Sequence, residues 1–179
     1  MEFEFPSYYN MPPFFTIQPV AATRKKQSEL WGDLILNYCK HNKLYELNIA
    51  DMLNSPLFFN EAINRKLPPE GIILMIDELV KTKNAEWSNP KEKTKCSIFW
   101  KNIDHWADLI YNWAAGAGKT DMVLTVWEIQ NGDDSEGQEF FGLETKILLK
   151  ALRALEAQGK AEVFSGTSDE NLGVKFFTV

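Results

Sequence analysis

The spacing of apolar positions along the chain predicts long helices in two pairs. In the first pair, one helix follows Thr23, expected as its N-cap, and the other opens at Pro68-Pro69, a dipeptide suited to a first helical turn. The second pair is expected to begin near Asp104 and near Leu143. The apolar positions with helical spacing are Leu30, Trp31, Leu34, Ile35 and Tyr38; Ile72, Ile73, Ile76, Leu79 and Val80; Trp106, Leu109, Ile110 and Trp113; and Leu143, Ile147, Leu148, Ala151, Leu152 and Leu155.

Shorter apolar stretches predict the remaining elements of each half of the chain. Each half shows an extended segment, a short second helix and two strands around a polar hairpin. In chain order we expect these at 47–49, 57–66, 85–87 and 97–100 in the first half, and at 123–125, 125–130, 161–164 and 173–177 in the second half.

An internal repeat relates the two halves. Trp-Gly-Asp-Leu-Ile-Leu-Asn-Tyr at 31–38 recurs as Trp-Ala-Asp-Leu-Ile-Tyr-Asn-Trp at 106–113, an offset of 75 residues. Ala-Glu-Trp at 85–87 recurs as Ala-Glu-Val at 161–163, an offset of 76 residues. A repeat of this kind indicates two copies of one small domain.

The order of elements in each copy is typical of a winged helix: helix, strand, helix, helix, strand, strand. The predicted fold class is therefore α+β, mostly α, with two tandem winged-helix domains behind an extended N-terminal arm. We place the arm at 1–22, the first winged helix at 23–102 and the second at 103–179.

The arm shows neither helical nor strand periodicity. Residues 1–19 hold six aromatic residues and four of the eight prolines. Pro12-Pro13 stiffens the chain just before Phe14 and Phe15, so little conformational entropy is lost when the two rings dock in a groove. The residues alone leave two alternatives. The rings either stay uncovered and dock on another subunit, or the arm folds back on the first domain.

The charge balance argues against nucleic acid as a partner. The net charge is −6, whereas a protein that holds a polyanion normally presents a positive field. The third helices carry a net charge of only −1 over 68–83 and +1 over 143–158. A nuclear winged-helix protein, acting in transcription through DNA or an elongation factor, is kept as the alternative function.

Two motifs that suggest nucleotide or calcium binding fail on spacing. Ala-Ala-Gly-Ala-Gly-Lys-Thr at 114–120 ends like a phosphate-binding loop, but Trp113 stands where that motif needs its first glycine. In the acidic segment 131–139, Glu136 stands where a calcium-binding EF-hand loop needs glycine. We expect a helix end and a solvated loop at these places.

The cysteine and histidine residues suggest neither zinc nor catalysis. Cys39, His41, Cys96 and His105 lack the paired spacing of a zinc site. Both cysteines are expected to be buried free thiols in a reducing compartment. No charged-then-apolar leader and no apolar run long enough for a membrane span is present in the sequence. We therefore expect a cytoplasmic chain without enzyme activity, cofactor or metal.

Several segments resemble one known family. Pro-Pro-Phe-Phe-Thr-Ile-Gln-Pro at 12–19, Thr23-Arg24 and Trp31 are similar to the N-terminal signature of the vacuolar protein sorting protein 25 family, subunits of the ESCRT-II complex. Further similar segments lie at 55–58, 65–68, 143–155 and 173–177, so the resemblance spans nearly the whole chain.

The resemblance implies a role in assembly. Two copies of such a chain join one copy each of vacuolar protein sorting proteins 22 and 36 in ESCRT-II, which acts in ubiquitin-dependent sorting at multivesicular bodies. The chain would then be cytoplasmic and recruited to the endosomal membrane through its partners, with a nuclear pool left open. The implied partner-binding residues are Pro12, Pro13, Phe14 and Phe15, with Pro6, Tyr8 and Tyr9 in an earlier element that lacks the double proline.

The resemblance further implies that the second winged helix recruits an ESCRT-III subunit, vacuolar protein sorting protein 20. The third helix of the second copy and its hairpin are the candidate surface.

Overall fold

Short strands and six α-helices make up the part of the chain that the computed structural model describes, residues 1–164, 166 and 171–179. They fall into two units, Met1–Trp100 and Lys101–Val179. The first unit contains α1 (Ala21–His41), β1 (Glu46–Asn48), α2 (Ile49–Met52), β2 (Phe59–Asn60), β3 (Arg65–Lys66), α3 (Pro69–Lys81), β4 (Ala85–Trp87) and β5 (Lys95–Ile98). The second contains α4 (Ile103–Gly116), β6 (Val123–Thr125), α5 (Val126–Asn131), α6 (Thr145–Ala157), β7 (Ala161–Phe164) and β8 (Gly173–Phe176).

Each unit has a three-stranded antiparallel sheet whose last strand lies in the middle. The orders are β1-β5-β4 and β6-β8-β7. Cys96 of β5 pairs with Leu47 on one side and with Trp87 on the other. At the equivalent place in the second unit, Val174 of β8 pairs with Leu124 and Val163. The predicted mixture of helices and short strands is confirmed.

In each unit the first long helix packs on the second, α1 on α3 and α4 on α6, and the second helix packs on the strand that follows it, β4 or β7. This arrangement follows from period-2 burial in the strands and period-3.6 burial in the helices. Fully buried side chains in the first unit include Trp31, Phe58, Ile72, Met75 and Ile76, and in the second unit Ile110, Phe140, Leu148, Leu152 and Phe176.

The predicted N-cap of the first helix, Thr23, is wrong. Helix α1 begins at Ala21 after Val20, two residues before Thr23. Helix α4 begins at Ile103, where the side chain of Asn102 accepts a hydrogen bond from the His105 N–H at 2.9 Å. Asparagine is as good an N-cap as aspartate, and α4 therefore begins one residue before the expected Asp104.

The prediction that the short second helix of the first half lies at 57–66 is also wrong. The helix is α2, and Asn48 caps it by accepting from the Ala50 N–H at 3.0 Å. Residues 59–66 instead form the small hairpin β2–β3, which turns through Asn64 in a left-handed conformation (φ 50°). The described residues of the second half form no such hairpin, so the repeat gave no sign of it.

The residues of the rejected ligand-binding motifs take part in ordinary structural interactions. The Lys119 ammonium group lies 2.5 Å from an Asp134 carboxylate oxygen, and Gly118 turns the chain after α4 with φ 68°. Cys39 and Cys96 are both buried. Within the described residues, no three His, Cys, Asp or Glu side chains gather as a metal site would need. Among the described helices, none combines the length and apolar character of a membrane span.

Candidate functional site

The N-terminal arm, residues 1–20, lies on the first unit through two single turns of 3-10 helix, Ser7–Asn10 and Pro12–Phe15. In the second turn the Phe14 N–H donates to the Met11 carbonyl at 3.0 Å. The Thr16 N–H donates to the Pro13 carbonyl at 3.2 Å. Proline fixes φ near the value that such a turn needs. It also lacks a backbone N–H, which would have no hydrogen-bond partner at these positions. The Pro-Pro-Phe-Phe sequence therefore forms a preset turn.

The rings of Phe14 and Phe15 point into the first unit. They are only 6% and 3% exposed. Phe14 stacks on the indole of Trp31 with ring centroids 4.2 Å apart and planes 7° apart, and the Trp31 Nε1–H donates to the Phe14 carbonyl at 2.9 Å. The expectation that both rings are uncovered by their own chain is wrong. The other alternative, an arm folded back on the first domain, is the one observed.

Gln27 fastens the backbone of the arm to α1. Its Nε2 donates to the carbonyl oxygens of Phe14 (3.0 Å) and Thr16 (2.7 Å), and its Oε1 accepts from the Gln18 N–H at 3.1 Å. The side chain is only 5% exposed. Sequence reasoning missed this residue. The available sign was a glutamine one helical turn before Trp31, on the buried face of an amphipathic helix.

The earlier element is anchored through Tyr9. This side chain is buried, and its hydroxyl donates to the carbonyl oxygens of Pro56 and, at 3.2 Å, Phe59. Asn60 Nδ2 donates to the Tyr9 carbonyl at 2.8 Å. Burial, and then the neighbouring Tyr38, raises the pKa of Tyr9 to about 12. The ring of Phe5 stacks on that of Tyr9 at 4.0 Å.

Pro6 and Tyr8 are half-buried beside this anchor. The Tyr8 hydroxyl donates to the Leu30 carbonyl at 3.3 Å, and its ring meets Phe14 edge-on at 4.9 Å. Burial raises the pKa of Tyr8, and the negative charge of Asp33 raises it further. Of the seven predicted contact residues, Tyr9, Phe14 and Phe15 are thus turned inward, while Pro6 and Tyr8 keep part of their surface in solvent.

The outward side of the same turn is exposed. Met11 is 57% exposed, and Pro12 and Pro13 are also exposed; we call these three residues the outer face of the arm. The outer face borders an open apolar groove of about 600 Å³ between the arm and the start of α1. The side chains of Tyr8 and Leu30 also line this groove. An exposed, continuous apolar surface on a preset turn has the properties of a protein-docking site.

The second unit presents the other predicted surface, α6 with its hairpin. Residues 165 and 167–170 of the hairpin tip lie outside the described part of the chain. At the base of the hairpin, Phe164 is 37% exposed and Val123 is 60% exposed. A Cβ placed on Gly173 would lie 3.3 Å from Val123 and 3.5 Å from Phe164, so the two side chains flank this glycine on the outer side of the sheet.

Comparison with known proteins identifies the family. The family model described as ESCRT-II complex subunit matches residues 8–144, which include the second turn of the arm and all of the first turn except Ser7. The chain belongs to the ESCRT-II complex subunit family. Among its relatives in this family, vacuolar protein-sorting-associated protein 25 of Dictyostelium discoideum is 51% identical, covering 99% of this chain and 97% of the relative. The Homo sapiens protein of that name is 42% identical over 99% of both chains.

Solved ESCRT-II structures have the same fold as this family member. Subunit VPS25 of the endosomal trafficking complex ESCRT-II superposes with a TM-score of 0.80 and 28% identity, covering 96% of this chain and 97% of that one. A chain in the crystal structure of the endosomal complex ESCRT-II (VPS22/VPS25/VPS36) gives a TM-score of 0.75 and 28% identity, covering 93% and 96%. The predicted family is confirmed.

Proposed function

We propose that this chain is a non-enzymatic assembly subunit of an ESCRT-II complex in endosomal protein sorting. Its partners are the two larger subunits, vacuolar protein sorting proteins 22 and 36, and two copies of this chain join one copy of each. Membership of the ESCRT-II subunit family supports this role, and so does the identity to relatives named vacuolar protein-sorting-associated protein 25 along nearly their whole length. The chain works in the cytoplasm and reaches the endosomal membrane through its partners.

Both units act as winged helices, and each uses its exposed surface for protein contacts. The support is the order of elements, which is the same in both units apart from the hairpin β2–β3, together with the three-stranded sheet that each unit has, in which the last strand is central. The segment 1–22, which contains the arm and the first two residues of α1, is the docking element; the first winged helix is 23–102 and the second is 103–179.

Docking on the larger subunits uses the outer face of the arm. The observation that carries this proposal is the division of one short turn into a buried side, Phe14 and Phe15, and an exposed side, Met11 to Pro13. The buried rings hold the turn in place, so the exposed side meets its partner without first losing conformational entropy. Phe14 and Phe15 thus contribute to docking by positioning the prolines, with Pro6 and Tyr8 at the edge of the contact.

Co-expression with the two larger subunits tests the docking proposal. The variant Pro12→Ser with Pro13→Ser removes the stiff apolar surface and leaves the two phenylalanine anchors unchanged. We expect the variant chain to fold, as measured by circular dichroism, and to be lost from the purified complex. Pro90→Ser, which alters an exposed proline between β4 and β5, is the matched control and should co-purify normally. Full co-purification of the double variant would refute docking through the arm.

The second winged helix recruits an ESCRT-III subunit, vacuolar protein sorting protein 20. Its exposed Phe164 and Val123 offer an apolar surface beside Gly173. In a pull-down of the ESCRT-III subunit by the assembled complex, Phe164→Ser is expected to reduce capture without affecting assembly. Equal capture by the variant and the unaltered complex would argue against this surface.

A further inference from the structure

A groove on the first unit, away from the outer face of the arm, lies between α1 and the end of α3. It has a volume of about 350 Å³, and its lining includes Gly32 and Leu36 of α1 and Leu79 of α3. Gly32 and Leu79 are buried and Leu36 is half-buried, so the floor is largely apolar. A Cβ on Gly32 would lie 3.3 Å from Leu79, which shows how closely the two helices approach beneath the groove.

Carboxylates stand on both walls of this groove. Glu29 and Asp33 line the α1 wall and Glu78 lines the α3 wall. Lys25 is the cation among the lining residues that the structure describes, which leaves the lining with a net charge of −2. Lys25 stands at the N-terminal end of the α1 wall. The groove therefore combines an apolar floor with a negative rim.

Two like charges, Glu29 and Asp33, lie one helical turn apart on α1, and Lys25, one turn before Glu29, offsets only part of their repulsion. Within the part of the chain that the structure describes, neither carboxylate takes part in an ion pair. Glu78 pairs with the exposed Lys81 at 2.7 Å. Cations supplied from outside the chain would relieve the repulsion on α1.

We infer that this groove is a second docking site, which takes a basic amphipathic segment of a partner protein. An apolar side chain of the segment lies over Gly32, and lysine or arginine side chains on either side of it reach the carboxylates of the two walls. An apolar stripe flanked by cations is what an amphipathic helix presents to a groove of this kind. The negative rim disfavours nucleic acid and anionic membrane as occupants.

The site is independent of docking through the arm. Its lining residues, between Lys25 and Asn84, include neither Met11, Pro12 nor Pro13. Substitutions in this groove therefore leave the residues of the outer face unaltered.

The test uses the full chain and a defined probe, a 14-residue helical peptide of lysine and leucine with leucine at positions i, i+3, i+4 and i+7. Binding is followed by amide chemical shifts and by fluorescence polarisation. We expect the largest shifts at Gly32, Leu36 and Leu79. Glu29→Lys with Asp33→Lys should weaken binding at least tenfold and abolish those shifts.

A matched variant distinguishes specific binding in the groove from nonspecific electrostatic attraction. Asp51→Lys with Glu61→Lys changes two exposed carboxylates of the same unit and alters the net charge equally. It should weaken binding less than twofold. Equal weakening by both double variants, or shifts spread over the surface without a maximum at the groove, would overturn the inference. Normal co-purification of the Glu29 and Asp33 variant with the larger subunits is expected, so this test is separate from that of the arm.

Discussion

Trp31 holds Phe14 twice, through its ring and through its indole N–H. The rings stack at 4.2 Å and the Nε1–H donates to the Phe14 carbonyl at 2.9 Å. One helix residue thereby fixes both the side chain and the backbone of the arm. The arm is consequently part of the hydrophobic core of the first unit, and its substitutions have consequences for stability as well as for docking.

Phe14→Ala is expected to destabilise the first unit substantially. Removing a buried ring leaves a cavity beside Trp31 and typically costs about 3–5 kcal/mol in the free energy of unfolding. Urea unfolding followed by circular dichroism measures the change. Phe141→Ala, at a phenylalanine that is 43% exposed, is the control and should change stability by about 0.5 kcal/mol or less. Similar losses for the two variants would contradict the anchoring role of Phe14.

Gln27→Met is expected to loosen the arm from α1. The substitution keeps the length of the side chain but removes its hydrogen bonds to Phe14, Thr16 and Gln18. Leaving buried polar groups without partners costs about 1–3 kcal/mol, and every 1.4 kcal/mol is about tenfold in an equilibrium constant. Hydrogen exchange at the Gln18 amide should therefore accelerate by about tenfold. Gln158→Met, at an exposed glutamine, should leave this exchange rate unchanged.

The two cysteine thiols are expected to be unreactive in the folded chain. Burial raises the pKa of Cys39 to about 12, with a further contribution from Cys96, and burial raises the pKa of Cys96 to about 12. At pH 8 a thiol reagent should label neither residue until urea unfolds the protein. Rapid labelling of the native chain would disprove the burial of Cys39 and Cys96.

The same thiols predict a loss of stability at high pH. In the unfolded chain they ionise near the ordinary value of 9.0, whereas in the folded chain they stay protonated to about pH 12. The unfolded state therefore binds fewer protons, and the free energy of unfolding falls as pH rises from about 9 to 12. A Cys39→Ala, Cys96→Ala variant should show a shallower fall; the slope that remains comes partly from Tyr9, whose pKa is also about 12.

Glu156→Gln is expected to weaken the second unit and to change its acid sensitivity. The Val163 N–H donates to a Glu156 carboxylate oxygen at 2.8 Å, and Arg153 donates to the other at 3.0 Å. These bonds, the Val163 bond first, lower the pKa of Glu156 below its usual 4.5. The stability they provide is present above that value and is lost as pH falls through the lower folded pKa. Thermal unfolding at pH 7 and at pH 3 measures it.

In this experiment Glu162→Gln serves as the control, because Glu162 is exposed on the neighbouring strand β7. The Glu156 variant should have a lower midpoint than the control at pH 7, and the two midpoints should converge at pH 3. A constant difference between them at both pH values would count against the carboxylate as the source of the effect.

The long elements could be predicted because each carries its own periodic pattern. Pro69 opens α3 as expected from its dipeptide, and the repeated tryptophan segments mark α1 and α4. The short helix α2 was missed, although Asn48 is a good N-cap, because four helical residues show no period. The hairpin β2–β3 was missed for a related reason, since two-residue strands do not establish alternation.

The candidate site could be located from sequence but its orientation could not. The proline pair marks a preset turn, and this is a local property. The direction of Phe14 and Phe15 depends on Trp31 and Phe58, which are distant in sequence and were recognised only as core residues or as part of a predicted helix. Gln27 was missed because its partners are backbone carbonyls, whose positions no side-chain pattern reveals.

Because backbone carbonyl groups attach the arm to α1, the attachment of the arm and its contact with a partner depend on different groups of the same few residues. Carbonyl groups are common to every amino acid, so the attachment of the turn tolerates change at Met11 and other outward positions as long as the backbone course is kept. The side chains on the outer face can therefore change during evolution while the domain that carries the arm keeps its stability.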